Sequence, residues 1–201
     1  MMSTRENFIS AAAPALLAVL FPFYWITFLG QSFNGFEEAF KQDLLTLNWR
    51  DLLFVLIGAL EVFVYISLSK HLKCYLNANA ARLLLLMMAS LVTLFHLTVV
   101  FDIYLALTQY NSLSENISFA AMILSLGSLG IFTLVAAVFS IVSLVNKQLP
   151  PLLKAFCVLM LLMCILQMTV VLAFTNVFLF PAALLILSIY FVKEREELEV
   201  I

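Results

Sequence analysis

The stretch Leu52-Leu-Phe-Val-Leu-Ile-Gly58-Ala-Leu-Glu61-Val-Phe-Val-Tyr65-Ile-Ser-Leu-Ser69 decides how this chain folds. It has no proline and a single charge. At about 1.5 Å rise per residue it nearly crosses a hydrocarbon layer about 30 Å thick. Arg50 and Asp51 bound it on one side and Lys70 and Lys73 on the other. Such a run reads as a membrane-spanning helix.

Five further runs of the same kind surround it, giving spans at about 8–30, 52–69, 82–109, 119–145, 152–174 and 177–192. The first is too long for a cleaved leader and exits through Tyr24, Trp25 and Phe28, a poor cleavage context. It is read as a span, bent at Pro14 and Pro22. The last two are divided at Thr175 and Asn176, with Pro181 just beyond. The reading is an all-α, polytopic helical membrane protein, with residues 1–201 as one transmembrane domain.

Composition agrees. Of 201 residues 65% are hydrophobic and 11% charged, with mean hydropathy +1.12. A soluble domain carries roughly 45–50% apolar and about 25% charged residues. This excludes an ordinary soluble enzyme, a disordered tail and a nucleic-acid binder with a basic face. The lipid bilayer is the first expected partner. Net charge is −2, and charge placement says more than the sum. Of the 10 Lys and Arg, only Lys41 and Arg50 fall on one side of the six-span scheme. The rest, from Arg5 through Lys70, Lys73, Arg82, Lys147 and Lys154 to Lys193 and Arg195, fall on the other. The positive-inside rule then predicts both termini in the cytoplasm, and an inner (plasma) membrane location.

One connection is long. Between Gln31 and Asp51, Phe33, Phe36, Phe40, Leu44 and Leu47 recur at spacings of three and four. Glu37, Glu38, Lys41 and Asp43 lie between them. An amphipathic helix at about 33–49 on the outer surface is expected, as a cover over the helix ends or a gate. At the other side, His71 is expected to be solvated among Lys70 and Lys73, and the tail from Lys193 to continue the last helix into water.

Ionisable groups inside a membrane are costly and are the best functional leads. Glu61 sits at mid-span with Gly58 and Tyr65 on its face. Lipid cannot solvate a carboxylate, so this face must look into the bundle, with Glu61 neutral or paired. The third span carries Ser90, Thr93 and His96 on one stripe and Thr98, Asp102 and Gln109 on another. His96 falls at a depth similar to Glu61 on an antiparallel neighbour, so a buried Glu61–His96 pair is expected. It would either shuttle protons or act as structural glue.

Other patterns carry less. Cys157, Met160, Cys164 and Gln167 share a face of the fifth span. Soft sulfur ligands suit Cu(I), but Met and Cys also pack well in apolar helices, and packing is the preferred reading. The two thiols are about 10 Å apart by helical rise, too far for a bridge. With Cys74 the cysteine count is odd and no CxxC occurs, so no disulfide framework is expected. Gly127, Gly130, Thr133, Ala137 and Ser140 form a small-residue seam for helix packing. Trp49-Arg50 and Ser128 resemble an intramembrane serine protease of the rhomboid type only in part. That motif is Gly-x-Ser-Gly with a histidine on the sixth span. Here the order is Gly127-Ser128-Leu129-Gly130, and the histidines are His71 and His96. Without a base, Ser128 is not activated, and no family is assigned. No P-loop, Rossmann pattern or HExxH occurs, and two histidines at different depths cannot hold two haems, so no cofactor is expected.

The sequence thus favours a non-enzymatic protein that binds another membrane component or a second copy of itself, as an accessory, assembly or immunity-type factor. The alternative is a proton-coupled carrier, with Glu61 as proton acceptor, His96 as its partner and Asp102 at the outer entrance.

Overall fold

Inside a bilayer the backbone has no water to bond, so each segment must satisfy itself as a helix. The computed structural model describes residues 4–32, 46–75, 78–108, 112–169 and 171–199. Among them there is no strand. The order is α1 (Thr4–Ser32), α2 (Trp49–Tyr75), α3 (Asn79–His96), α4 (Val99–Leu107), α5 (Ser112–Val145), α6 (Pro151–Met168), a 3-10 turn (Ala173–Thr175) and α7 (Asn176–Glu199). Six helices are long and apolar enough to cross a membrane, α3 and α4 together making the third. The greater part of the expected amphipathic segment lies outside the described residues.

Local chemistry sets the ends. Asn48 opens α2: its Oδ1 accepts from the Arg50 amide at 2.8 Å, while its own amide donates to Asp51 Oδ2 at 2.6 Å. This is a reciprocal cap satisfying two otherwise orphaned donors. The third span breaks at Leu97 and Thr98. There the backbone tightens, with Thr98, Val100 and Phe101 each donating to the carbonyl three residues earlier. Thr98 Oγ1 also bonds the Phe95 carbonyl at 2.7 Å, a side chain competing with the helix for its own acceptor. The turn before α7 comes earlier than expected. Thr169 ends α6, its hydroxyl donating to Leu166 O at 2.7 Å and accepting from the Leu172 amide at 3.2 Å. Asn176, expected in the turn, is the first residue of α7.

α1 runs through Pro14 and Pro22. Prolines leave carbonyls of the preceding turn short of donors. In that turn Ser188 of α7 donates to the Ala11 carbonyl at 2.8 Å.

Each span packs chiefly on its neighbours in sequence, and α7 returns to pack on α1. The result is a closed up-and-down ring, α1-α2-α3-α5-α6-α7, with α4 against α5. The end of the ring that carries the termini is filled by Leu17, Leu68, Leu72, Leu85, Phe139, Leu153, Phe156 and Leu187. Outside, large apolar side chains stand bare, such as Leu52 at 74% and Val145 at 76% exposed. Water would penalise that surface, and lipid does not.

One expectation fails at the filled end. His71 is not solvated: α2 extends past Lys70 and Lys73, and His71 is buried at 4% exposure. On a helix, residues 68, 71 and 72 share a face, and His71 follows Leu68 and Leu72 inward. Its Nε2 is hydrogen-bonded to the Tyr190 hydroxyl of α7, and its ring meets Tyr190 and Phe191 edge-on at 5.2 and 5.9 Å.

Candidate functional site

In the half of the ring away from the termini the helices do not meet on the axis. They enclose a cavity of about 420 Å3 to which all six spans contribute, within the roughly 300–1,000 Å3 range of small-molecule sites. By helical register, Tyr65, Phe132, Thr133 and Met160 form its floor. Glu61, Phe21, Ser128, Cys164 and Phe180 form its middle. Tyr24, Trp25, Phe54, His96, Gln167 and Asn176 form its upper rim.

The wall is largely aromatic, and the rings brace one another. Phe180 meets Phe21 edge-on at 4.7 Å, Trp25 meets Tyr24 at 5.4 Å, Tyr24 meets Phe54 at 5.6 Å, and Phe54 lies 4.3 Å from the His96 ring. Tyr65 and Phe132 pair lower down at 6.1 Å. Bulky rings with little freedom to collapse hold the helices apart.

Glu61 is buried at 7% exposure and faces this space. Among the described residues no hydrogen bond joins it to His96, the partner expected for it. His96 instead donates from Nδ1 to the Val92 carbonyl at 3.0 Å. A carbonyl can only accept, so Nδ1 carries the proton, and in the neutral ring Nε2 is an acceptor. The close approach of α2 and α3 explains the position of the ring. A Cβ built on Gly58 would lie 2.3 Å from His96 Cγ and 2.8 Å from its Cβ. His96 thus packs on the bare backbone of Gly58, one turn before Glu61, and the two residues share the cavity.

The remaining polar groups are directional. The two hydrogens of Asn176 Nδ2 are taken by the Met163 carbonyl at 3.2 Å and Gln167 Oε1 at 2.9 Å. Since Met163 O can only accept, this fixes both amides. Asn176 Oδ1 is left buried without a partner, as is the Tyr65 hydroxyl. Ser128 and Thr133 spend their hydroxyl protons on their own helix, at Ser125 O and Leu129 O. Among the described residues no Lys or Arg lines the cavity, and Glu61 is its one carboxyl group.

Other sequence candidates lie elsewhere. Thr93 is exposed, bonding its hydroxyl to Ala89 O at 2.8 Å. Asp102, half-buried on α4, does not line the cavity. Met160 and Cys164 do, while Cys157 is buried outside it. Among the described residues no three His, Cys, Asp or Glu side chains are placed to share a metal. The small-residue seam divides. Thr133 and Ser140 are buried and Ala137 half-buried, but Gly127 and Gly130 are exposed, with nothing within 4 Å of a built Cβ.

Sequence reasoning missed the aromatic wall and the Gln167–Asn176 clamp. Phe21 and Trp25, four apart, and Phe54, Glu61 and Tyr65, at seven and four, were the available helical signals. The clamp joins residues from two helices and left no local pattern. No protein-family model matches this chain, and neither a curated protein nor a solved structure matches it.

Proposed function

We infer that this chain is a small membrane carrier that takes an amphipathic small molecule into the central cavity, with Glu61 as its polar anchor and proton-exchanging group. One observation carries the reading: the mid-span carboxyl opens onto a cavity of about 420 Å3 instead of a partner side chain. A buried acid costs about 2.5–3.5 kcal/mol on insertion scales. Glue between helices would offset that cost with a hydrogen bond across the interface, and Glu61 has none among the described residues. The charge bias argues that both termini lie in the cytoplasm of a cell whose plasma (inner) membrane holds the protein. The cavity end of the ring then faces outward.

A second reading, an accessory factor bound to another membrane protein, is favoured by the outer face of α5. There the bare backbone of Gly127 and Gly130 stands beside exposed Leu126 and Ile131, a surface on which a foreign helix could approach closely.

Fluorescence tests the carrier. Trp25 lines the cavity and Trp49 does not, so Trp49→Phe leaves one reporter. Titration in nanodiscs with naphthalene derivatives of equal size, neutral, anionic and cationic, is expected to quench it saturably for at least one. The same compound should cross proteoliposome membranes faster when a pH gradient is imposed. Absence of saturable quenching by the whole series, or flux unaltered by Glu61→Gln, would remove the carrier reading.

A further inference from the structure

Resting on the carrier reading, we propose that the ligand is a lipophilic organic cation, a protonated or quaternary amine, which displaces the proton of Glu61. The polar inventory of the cavity points that way. Its one carboxyl group is Glu61, and among the described residues no Lys or Arg faces it. Asn176 Oδ1 and the Tyr65 hydroxyl, buried without partners behind the lining, add no positive charge to the site. With Nδ1 given to the Val92 carbonyl, the neutral form of His96 keeps Nε2 as an acceptor. Tyr24, Trp25 and Phe54 line the walls, and an aromatic ring attracts a cation placed over its face when water is excluded. An anion would meet a carboxyl with no cationic counterpart. A neutral apolar molecule would leave the Glu61 carboxyl unsatisfied.

The exchange balances in atoms and charge. Glu61–COOH and a cation from solution give a Glu61 carboxylate paired with the cation, and one proton leaves to the solution from which the cation came. The titratable side chains around Glu61 are few. Tyr65 lies on its own helix, His96 faces it from α3, Cys164 from α6 and Tyr24 from α1, while α5 and α7 present Ser128, Thr133 and Asn176, which do not titrate. Competition with a proton means that cation affinity rises with pH.

The test compares naphthylmethyl-trimethylammonium with its uncharged isostere, carbon replacing nitrogen, on the detergent-solubilised full chain in weak buffer with a pH indicator. The cation is expected to bind at least tenfold tighter and to release up to one proton per molecule bound. Its affinity should rise with pH. Glu61→Gln should abolish both the release and the preference, whereas His96→Gln should leave the release in place. Equal affinity for the isostere, no proton release from the unaltered protein, or release lost with His96→Gln but kept with Glu61→Gln would each overturn the cation assignment. After the first two outcomes the carrier reading still stands on ligand binding and flux; after the third it falls as well, since Glu61 would not be the proton-exchanging group. If neither compound nor any other naphthalene derivative binds saturably, the carrier reading itself fails. The proton measurement on the unaltered protein decides the matter even if Glu61→Gln does not fold.

Discussion

Gly58 is where one missing methyl group decides geometry. Its Cα faces the His96 ring so closely that an added Cβ would meet Cγ at 2.3 Å and the His96 Cβ at 2.8 Å. A ring can rotate away, but a Cβ moves only with its backbone. Gly58→Ala is therefore expected to part α2 from α3 and cost about 1–3 kcal/mol, the usual price of overpacking, read as lower thermal stability in detergent. Adding His96→Ala removes the Cγ and Cδ2 contacts but keeps Cβ, so the double variant should recover only part of the loss. Full stability of Gly58→Ala would mean that this crossing is loose. At this scale Glu61 was legible, because a lone charge in an apolar run has few explanations. The Gly58–His96 packing was not, because spacing along a helix gives the direction of a side chain but not the distance between two helices.

Among elements, α2 and α7 are not neighbours in the ring, yet they meet at its filled end. Both flank α1, and the His71–Tyr190 hydrogen bond links them directly. A double-mutant cycle with His71→Leu and Tyr190→Phe is expected to show a coupling of about 0.5–1.5 kcal/mol, typical of a buried hydrogen bond. Chemical unfolding in mixed micelles measures it. Additive effects would show that the two helices are held by apolar packing alone. The sequence presented His71 between two lysines, which reads as a loop. Helix α2 runs on past them, and the 100° step per residue turns His71 inward while Lys70 and Lys73 remain exposed. Boundaries set by polar side chains on their own backbone, at Thr98 and Thr169, were equally hidden. Hydropathy responds to lipid contact, and those threonines change the hydrogen-bond register without changing hydropathy much. Span count was legible because it depends only on long apolar runs.

The whole molecule is a ring that is filled at one end and hollow at the other. The arrangement follows from what faces the axis. Aliphatic side chains such as Leu68, Leu72, Leu153 and Leu187 interlock toward the termini, while aromatic and polar ones prop the other half open around about 420 Å3. A one-ended vestibule has a distinct accessibility pattern. With the native cysteines replaced, Gln167→Cys at the cavity rim should react with a membrane-impermeant thiol reagent added from the face opposite the termini. Leu187→Cys, at 0% exposure in the filled half, should react from neither face when no ligand is added. Lys73→Cys and Lys147→Cys, exposed at the filled end, should both react from the face carrying the termini and mark it. Reaction of Leu187→Cys as fast as Gln167→Cys would describe a pore. A carrier needs the filled half to yield only when the cavity is loaded. Labelling of Leu187→Cys that rises on adding a bound ligand is therefore the whole-molecule signature of transport, and labelling that never changes would leave a protein that binds without carrying.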